Sequence, residues 1–177
     1  MRSRHTALVF ALALGALGAL APSASAFERA GRPWPDGRIT YFTAADGYSS
    51  SVDRAARIWN RANVGVKFVK AGRRNAAVVV HYGGRRCEGA AFAGFIGRRR
   101  QSPVALGAGC GRSLITLTAV HEFGHVLGLG HEDGKCARMN AAFDGSGTPQ
   151  HCRPRPLDYW LAHPLASDDL QGVRRIY

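Results

Sequence analysis

The spacing of apolar side chains predicts five β-strands along the chain. Residues 38–43 and 64–69 alternate between polar and apolar side chains, which is typical of strands with one buried face. Residues 76–82 form a nearly continuous apolar run, which favours a strand covered on both faces. Two further strands are predicted at residues 90–96 and 103–107.

The apolar pattern also predicts three helices. Residues 50–62 place an apolar stripe on one helical face, and Ser50 begins a capping-box-like start. Residues 114–129 predict a second helix, with Ser113 as its N-cap. A third helix is predicted from Ser167 onward, because acidic residues follow it and suit the positive end of a helix dipole.

The N-terminus has the parts of a secretory signal. Two arginines precede an apolar run at residues 7–20, and small residues at 24–26 form a cleavage site. The run is too short for a comfortable membrane span, and no later apolar segment is long enough. We therefore expect residues 1–26 to be a signal peptide and residues 27–177 to be a single secreted, extracellular domain without a membrane span. We expect this domain to be a monomer.

The net positive charge of the chain bears on which partners the protein can bind. The chain has 24 Lys and Arg against 12 Asp and Glu, a formal net charge of +12. The basic residues are mostly scattered pairs, with one triplet at Arg98-Arg99-Arg100. No aromatic-interleaved RNA motif or recognition helix accompanies them, so we expect no nucleic-acid partner. A solvated basic surface that can attract anionic surfaces is the favoured interpretation.

The cysteines indicate an oxidising compartment. Cys87, Cys110, Cys136 and Cys152 form an even set in a chain predicted to be exported, which favours two disulfides. Of the three pairings that four cysteines allow, we favour Cys87–Cys110 and Cys136–Cys152, because each closes a local loop beside the helix at 114–129. Thiolate ligation of zinc is the alternative, but no Cys-x-x-Cys spacing is present.

The candidate chemistry lies in a His-Glu-x-x-His-x-x-Gly-x-x-His motif that begins at His121. On a helix, His121 and His125 lie on one face and can bind one zinc ion. Glu122 lies beside the open metal position, where it can act as general base toward a zinc-bound water. Gly128 tolerates a positive φ, so the chain can leave the helix and return His131 as third ligand.

This motif resembles the signature of the metzincin zinc peptidases. Three further segments are similar to the matrixin family: the lead-in at residues 32–41, residues 113–119 before the motif, and the segment Asp168-Asp169-Leu170-Gln171-Gly172. The resemblance implies an α+β (α/β-like) metzincin catalytic domain. Its expected parts are a twisted mixed five-stranded sheet, an active-site helix, a second packed helix and a C-terminal helix.

The resemblance also assigns roles outside the motif. It implies that Met139 forms the Met-turn beneath the metal, and that a protein or peptide substrate lies along an edge strand between Ala90 and Phe95. Many matrixins bind further ions in the stretch that corresponds to residues 83–112. Because this chain has no His and no Asp there, we expect one catalytic zinc ion only.

The sequence therefore predicts a secreted zinc-dependent endopeptidase. Two alternatives remain: a secreted zinc hydrolase that acts on cell-wall or other non-protein amides, and a catalytically silent zinc-binding secreted module. The positive charge favours the first of these, because it would attract an anionic wall. The presence of Glu122 argues against the second.

Overall fold

A computed structural model of the protein describes residues 29–177, so the predicted signal peptide lies outside the described residues. Within them the chain forms five β-strands and four α-helices. In chain order these are β1 (Arg38–Thr43), α1 (Ser49–Arg61), β2 (Lys67–Lys70), β3 (Val78–Tyr82), β4 (Gly89–Ala91), β5 (Ser102–Leu106), α2 (Arg112–Val126), α3 (Leu157–Ala162) and α4 (Ser167–Ile176). A short 3-10 turn, Arg73–Asn75, precedes β3.

The five strands form one mixed sheet in the order β2-β1-β3-β5-β4. The four strands β2, β1, β3 and β5 are parallel, whereas β4 runs antiparallel to β5 at the edge. The predicted mixed sheet packed by helices is therefore confirmed, and the expected edge strand is β4. Parallel strands require crossover connections, and α1 provides the one between β1 and β2.

The core lies between the sheet and the two long helices. Alternating residues of β1 point inward, and Ile39 is fully buried. Phe123 of α2 stacks on Phe68 of β2 with ring centroids 4.4 Å apart. From α1, Trp59 donates its indole N–H to the Val120 carbonyl oxygen at 2.9 Å. This buried bond fixes α1 against the helix that carries the histidine motif.

Helix α2 is buried on nearly every side from Ile115 to Val126. A helix that is apolar all round belongs in the middle of a protein rather than on its surface. Its end is held by residues from both ends of the described chain. Trp34 donates its indole N–H to the Val126 carbonyl oxygen at 2.7 Å, and the Tyr177 hydroxyl donates to the Leu127 carbonyl oxygen at 3.0 Å.

Both predicted serine caps are wrong. Helix α1 begins after Tyr48 and α2 begins after Gly111, and neither cap residue makes a side-chain cap bond. Ser50 and Ser113 lie inside the first turns instead. Neither helix therefore relies on a serine N-cap, and packing of the apolar faces supplies most of their stability. Helix α2 also ends at Val126, earlier than predicted.

Some strand ends and one helix also differ from the prediction. Strand β2 begins only at Lys67, because Asn63 and Gly65 adopt positive φ angles of 49° and 83° and turn the chain. Strand β4 stops at Ala91, before a bend at Gly94, whose φ is 68°. The short helix α3 was not predicted. Across residues 29–177, no helix has the combination of length and apolar character needed to cross a bilayer.

Candidate metal centre

The three motif histidines come together in the structure. Their candidate ligand nitrogens all lie within 4.8 Å of one another. No other group of three His, Cys, Asp or Glu side chains in residues 29–177 is arranged to hold a metal ion. His121 is buried, His125 is half-buried and His131 is exposed, so the group opens to solvent on one side. Three imidazoles with an open side suit a catalytic zinc ion.

Two backbone carbonyls orient the histidine rings. Nδ1 of His121 lies 2.8 Å from the Arg138 carbonyl oxygen, and Nδ1 of His125 lies 2.9 Å from the Leu129 carbonyl oxygen. A carbonyl oxygen only accepts, so each Nδ1 carries the hydrogen and donates it. The Nε2 lone pairs are then free to bind a metal. The structure therefore fits the zinc ion that the motif implies.

Burial keeps the first two histidines neutral. Desolvation, followed by the positive charge of His125, lowers the pKa of His121 from 6.5 to about 3. Burial also lowers the pKa of His125 below its usual value of 6.5. A neutral imidazole is the form that binds metal, so the protein presents these ligands ready for zinc at neutral pH.

The Glu122 carboxyl group lies in the same cavity and is only 3% exposed. Its Oε2 atom has no hydrogen-bond partner in the described part of the chain. Burial raises the pKa of Glu122 from 4.5 to about 8. A buried carboxyl group with a raised pKa and a free oxygen can exchange protons with a water or substrate placed in the cavity.

Gly89 lies directly against Glu122, a contact that the sequence did not predict. A Cβ atom at this position would lie 2.4 Å from Oε1 of Glu122, well inside van der Waals contact. The absence of a side chain at Gly89 therefore lets the edge strand β4 pass against the carboxyl group in its present position. A glycine at the start of an apolar run, as at Gly89, can indicate a close approach of the backbone to another group. The sequence pattern does not identify Glu122 as that group, because the two residues are far apart in the chain.

Met139 lies beneath the motif helix and is 2% exposed. A Cβ atom added to Gly124 would come within 2.2 Å of the Met139 sulfur. The glycine inside the motif therefore makes room for the methionine. Gly128 has a φ of 102° and follows closely on the last helical residue, Val126.

A buried carboxylate of α4 holds the segment that contains Met139. Asp169 accepts backbone N–H groups from Arg138 at 2.9 Å, from Met139 at 3.1 Å and from Ala166 at 2.7 Å. The Arg138 carbonyl oxygen in turn accepts from His121. Asp169 therefore acts on the metal centre through the backbone, a role that the sequence analysis did not assign.

The side chain of Arg138 fixes the same segment. It is 1% exposed and donates to the carbonyl oxygens of Gly147 and Pro164, both at 3.1 Å. Its guanidinium group lies over the Trp160 ring, 5.4 Å from the centroid. Burial lowers the pKa of Arg138 from 12.5 to about 10, which leaves it charged at neutral pH.

The cavity at the histidines has a volume of about 450 Å³. One wall is the edge strand β4, and the other is the segment of Ala141, Ala142 and Phe143. Each wall is tied down by one of the two disulfides, Cys87–Cys110 and Cys136–Cys152, which are the pairings that the sequence analysis favoured. Within residues 29–177 no cysteine is free.

The model of the Astacin peptidase family matches residues 26–141 of this chain. The match covers the histidine motif, Met139 and the whole sheet. Among curated proteins, none matches the chain. The family match supports the metzincin assignment made from the motif. It does not support the matrixin subgroup, which the segments outside the motif resemble.

Proposed function

This chain is a zinc metalloendopeptidase of the astacin family, and we propose that His121, His125 and His131 are its zinc ligands and Glu122 its general base. The observation that carries this proposal is the convergence of three histidines on a cavity that also holds a buried carboxyl group, one of whose oxygens has no partner among the described residues. Gly128 supports it by ending the helix where His131 must return.

When bound, zinc supplies a Lewis acid that polarises the scissile carbonyl and lowers the pKa of a water molecule. The positive charge of bound zinc would favour the ionised form of Glu122, which would then accept a proton from the attacking water and pass it to the leaving amine. The lack of a hydrogen-bond partner at Oε2 within the described residues keeps this acceptor available. Met139 and Gly124 position the helix that carries the base.

The substrate is a protein or peptide, and we propose that it binds along β4 as an added strand. Strand β4 is at the sheet edge, so one side of its backbone is open to pair with an extended chain. Ala90 and Ala91 line the cavity, which places this edge beside the histidines. The small side chains leave room for a peptide backbone.

We also propose that the chain is exported as one domain, residues 27–177, after removal of residues 1–26. The two disulfides support export, because such bonds persist in oxidising compartments. We propose that the domain acts as a monomer with one zinc ion, and that its basic character, seen in the net charge of +12 for the full chain, attracts it to anionic surfaces.

Replacing Glu122 by Gln tests the proposed base. The variant should keep its zinc, because no ligand is lost, while kcat/KM for casein or a casein-derived peptide falls by about 10²–10⁴-fold, the usual contribution of general-base catalysis. Zinc content by atomic absorption separates loss of metal from loss of the base. Asp158→Asn makes the same carboxyl-to-amide change at an exposed position and should leave activity unchanged.

Unchanged proteolysis in Glu122→Gln would refute the role of this residue. The zinc requirement has its own measurement: a chelator should abolish cleavage by the native protein, and added zinc should restore it. Activity that persists with full chelation would contradict the assignment of the histidines.

A further inference from the structure

A second cavity lies away from the histidines and is larger, at about 790 Å³. None of the described residues lines both this cavity and the one at His121. Its walls come from the start of β1, the 3-10 turn Arg73–Asn75 and the loop between β4 and β5. We call it the arginine cavity, because six arginines line it: Arg38, Arg73, Arg74, Arg98, Arg99 and Arg100.

The charge of this cavity is almost uncompensated. Among the described residues that line it, Asp36 is the only acidic one, and it pairs with Arg98 at 3.2 Å. The other five guanidinium groups have no carboxylate within ion-pairing distance in the described part of the chain. All six arginines are exposed, so they can meet a ligand from solvent. Basic residues that are scattered along the sequence thus converge on one place.

Hydrogen bonds hold the walls of the arginine cavity together. The Gln101 side-chain amide donates to the carbonyl oxygens of Arg73 at 2.6 Å and Ala76 at 2.9 Å. The Thr40 hydroxyl donates to the Asn75 carbonyl oxygen at 2.9 Å. These bonds tie the 3-10 turn to β1 and to the start of β5, so the backbone positions of Arg73 and Arg74 are set before a ligand arrives.

We propose that the arginine cavity binds an acidic glycan, that is, a chain of sugar units carrying sulfate or phosphate groups. Guanidinium groups donate paired N–H groups that match the oxygens of a tetrahedral anion. A cavity of this volume accommodates a short segment of such a chain. Binding here would hold the peptidase on an acidic glycan while the cavity at the histidines stays open to peptides.

The aromatic residues of the cavity argue against nucleic acid. Trp34 is only 6% exposed, and Phe95 is partly buried against it with ring centroids 5.2 Å apart. No exposed aromatic ring therefore lines the arginine cavity for bases to stack on, among the residues that the structure describes. Proteins that bind single-stranded nucleic acid gain much of their affinity from such stacking.

Binding of labelled oligosaccharides by the zinc-loaded protein tests this proposal. Fluorescence anisotropy would use a heparin-derived oligosaccharide for sulfate, a phosphorylated mannan oligosaccharide for phosphate and a single-stranded DNA of similar charge. We expect at least one glycan to bind more tightly than the DNA. The triple variant Arg73→Gln, Arg74→Gln and Arg99→Gln should weaken glycan binding roughly tenfold or more, since three charge contacts are lost. Whichever glycan responds identifies the anion.

A matched control removes the same charge elsewhere. Arg85, Arg153 and Arg174 are exposed and lie outside the arginine cavity, and their triple change to Gln should alter binding by less than about threefold. Both triple variants should cleave a short neutral peptide at the native rate, which shows that they fold. Equal weakening in the two variants, absence of binding to either glycan, or tighter binding of DNA would overturn the proposal.

Discussion

The two cavities hold their functional side chains in opposite ways. At the histidines, hydrogen bonds to backbone carbonyl oxygens fix the side chains of His121 and His125, and the buried Glu122 has a strongly raised pKa. In the arginine cavity, hydrogen bonds hold the backbone of the 3-10 turn, but the charged ends of the arginines are exposed. The function of a buried site depends on each of its contacts. Binding at an exposed charged site depends on the summed charge, which dissolved salt screens. Single mutations should therefore have large effects on stability or activity at the histidine cavity. In the arginine cavity their effects should be small and additive.

The largest effect should come from the proton on Glu122 in the metal-free protein. Its folded-state pKa of about 8 lies above the ordinary value of 4.5, so the stabilising contribution is complete below pH 4.5 and is lost as pH rises through about 8. The Glu122→Gln variant does not lose stability in this way, because its amide does not ionise. Relative to the variant, the wild-type protein should lose on the order of 3–4 kcal/mol of unfolding free energy over this window.

Urea unfolding of the chelated proteins across this pH range measures the difference. The histidines contribute in the opposite sense, because the lowered pKa of His121 makes stability rise from about pH 3 to 6.5. This contribution is common to both proteins and cancels in the comparison. Parallel stability profiles of the two proteins would show that burial does not perturb Glu122.

Asp169→Ala should have the next largest effect. The change leaves three backbone N–H groups without their acceptor and removes the carboxylate near the buried Arg138, so we expect a loss of about 3 kcal/mol in unfolding free energy. Zinc affinity should also fall, because the Arg138 carbonyl orients His121. Urea unfolding and competition with a zinc chelator measure both. Asp158→Ala, at an exposed position, is the control, and equal effects in the two variants would contradict the role of Asp169.

Gly89→Ala should impair catalysis more than stability. Its new Cβ would meet Oε1 of Glu122 at 2.4 Å, so β4 or the carboxyl group must move. We expect kcat/KM to fall about tenfold to hundredfold with zinc content unchanged, since small displacements of a catalytic group are costly. Gly72→Ala adds a Cβ with no heavy atom within 4 Å and should be neutral. Native activity in Gly89→Ala would mean that the close contact has no catalytic role.

The smallest effect is expected from a single change in the arginine cavity. Arg99→Gln removes an exposed charge without an ion-pair partner in the described residues, so unfolding free energy should change by less than about 0.5 kcal/mol. Urea unfolding at low and high salt measures it. A destabilisation similar to that of Asp169→Ala would remove the contrast between the two cavities.

The resemblance to matrixins shows that short sequence motifs can identify a superfamily without identifying the family within it. The histidine motif and the methionine after it are features that metzincins share, so they predicted the fold and the zinc chemistry. The segments at residues 32–41 and 168–172 suggested matrixins, but the family match is to astacins. Short similarities outside the metal centre carry too few constrained positions to separate related families.

The spacing of residues along the sequence by itself determined several strands, the metal-binding helix and the disulfides of this protein. Strand β1 has the predicted bounds because alternation directly reflects which face is buried. His121 and His125 share a helical face because they are four residues apart, and Gly128 ends that helix because it accepts a positive φ. The disulfide pairing was also predictable, since each bond closes a short loop.

Only the tertiary structure decided which distant residues support the site. Gly89 meets Glu122, Asp169 holds the segment of Met139, and six arginines from three segments line one cavity. The caps of α1 and α2 are Tyr48 and Gly111 rather than the serines that the local pattern predicted. These features depend on how the helices and strands pack, because packing brings together residues that no short sequence pattern relates.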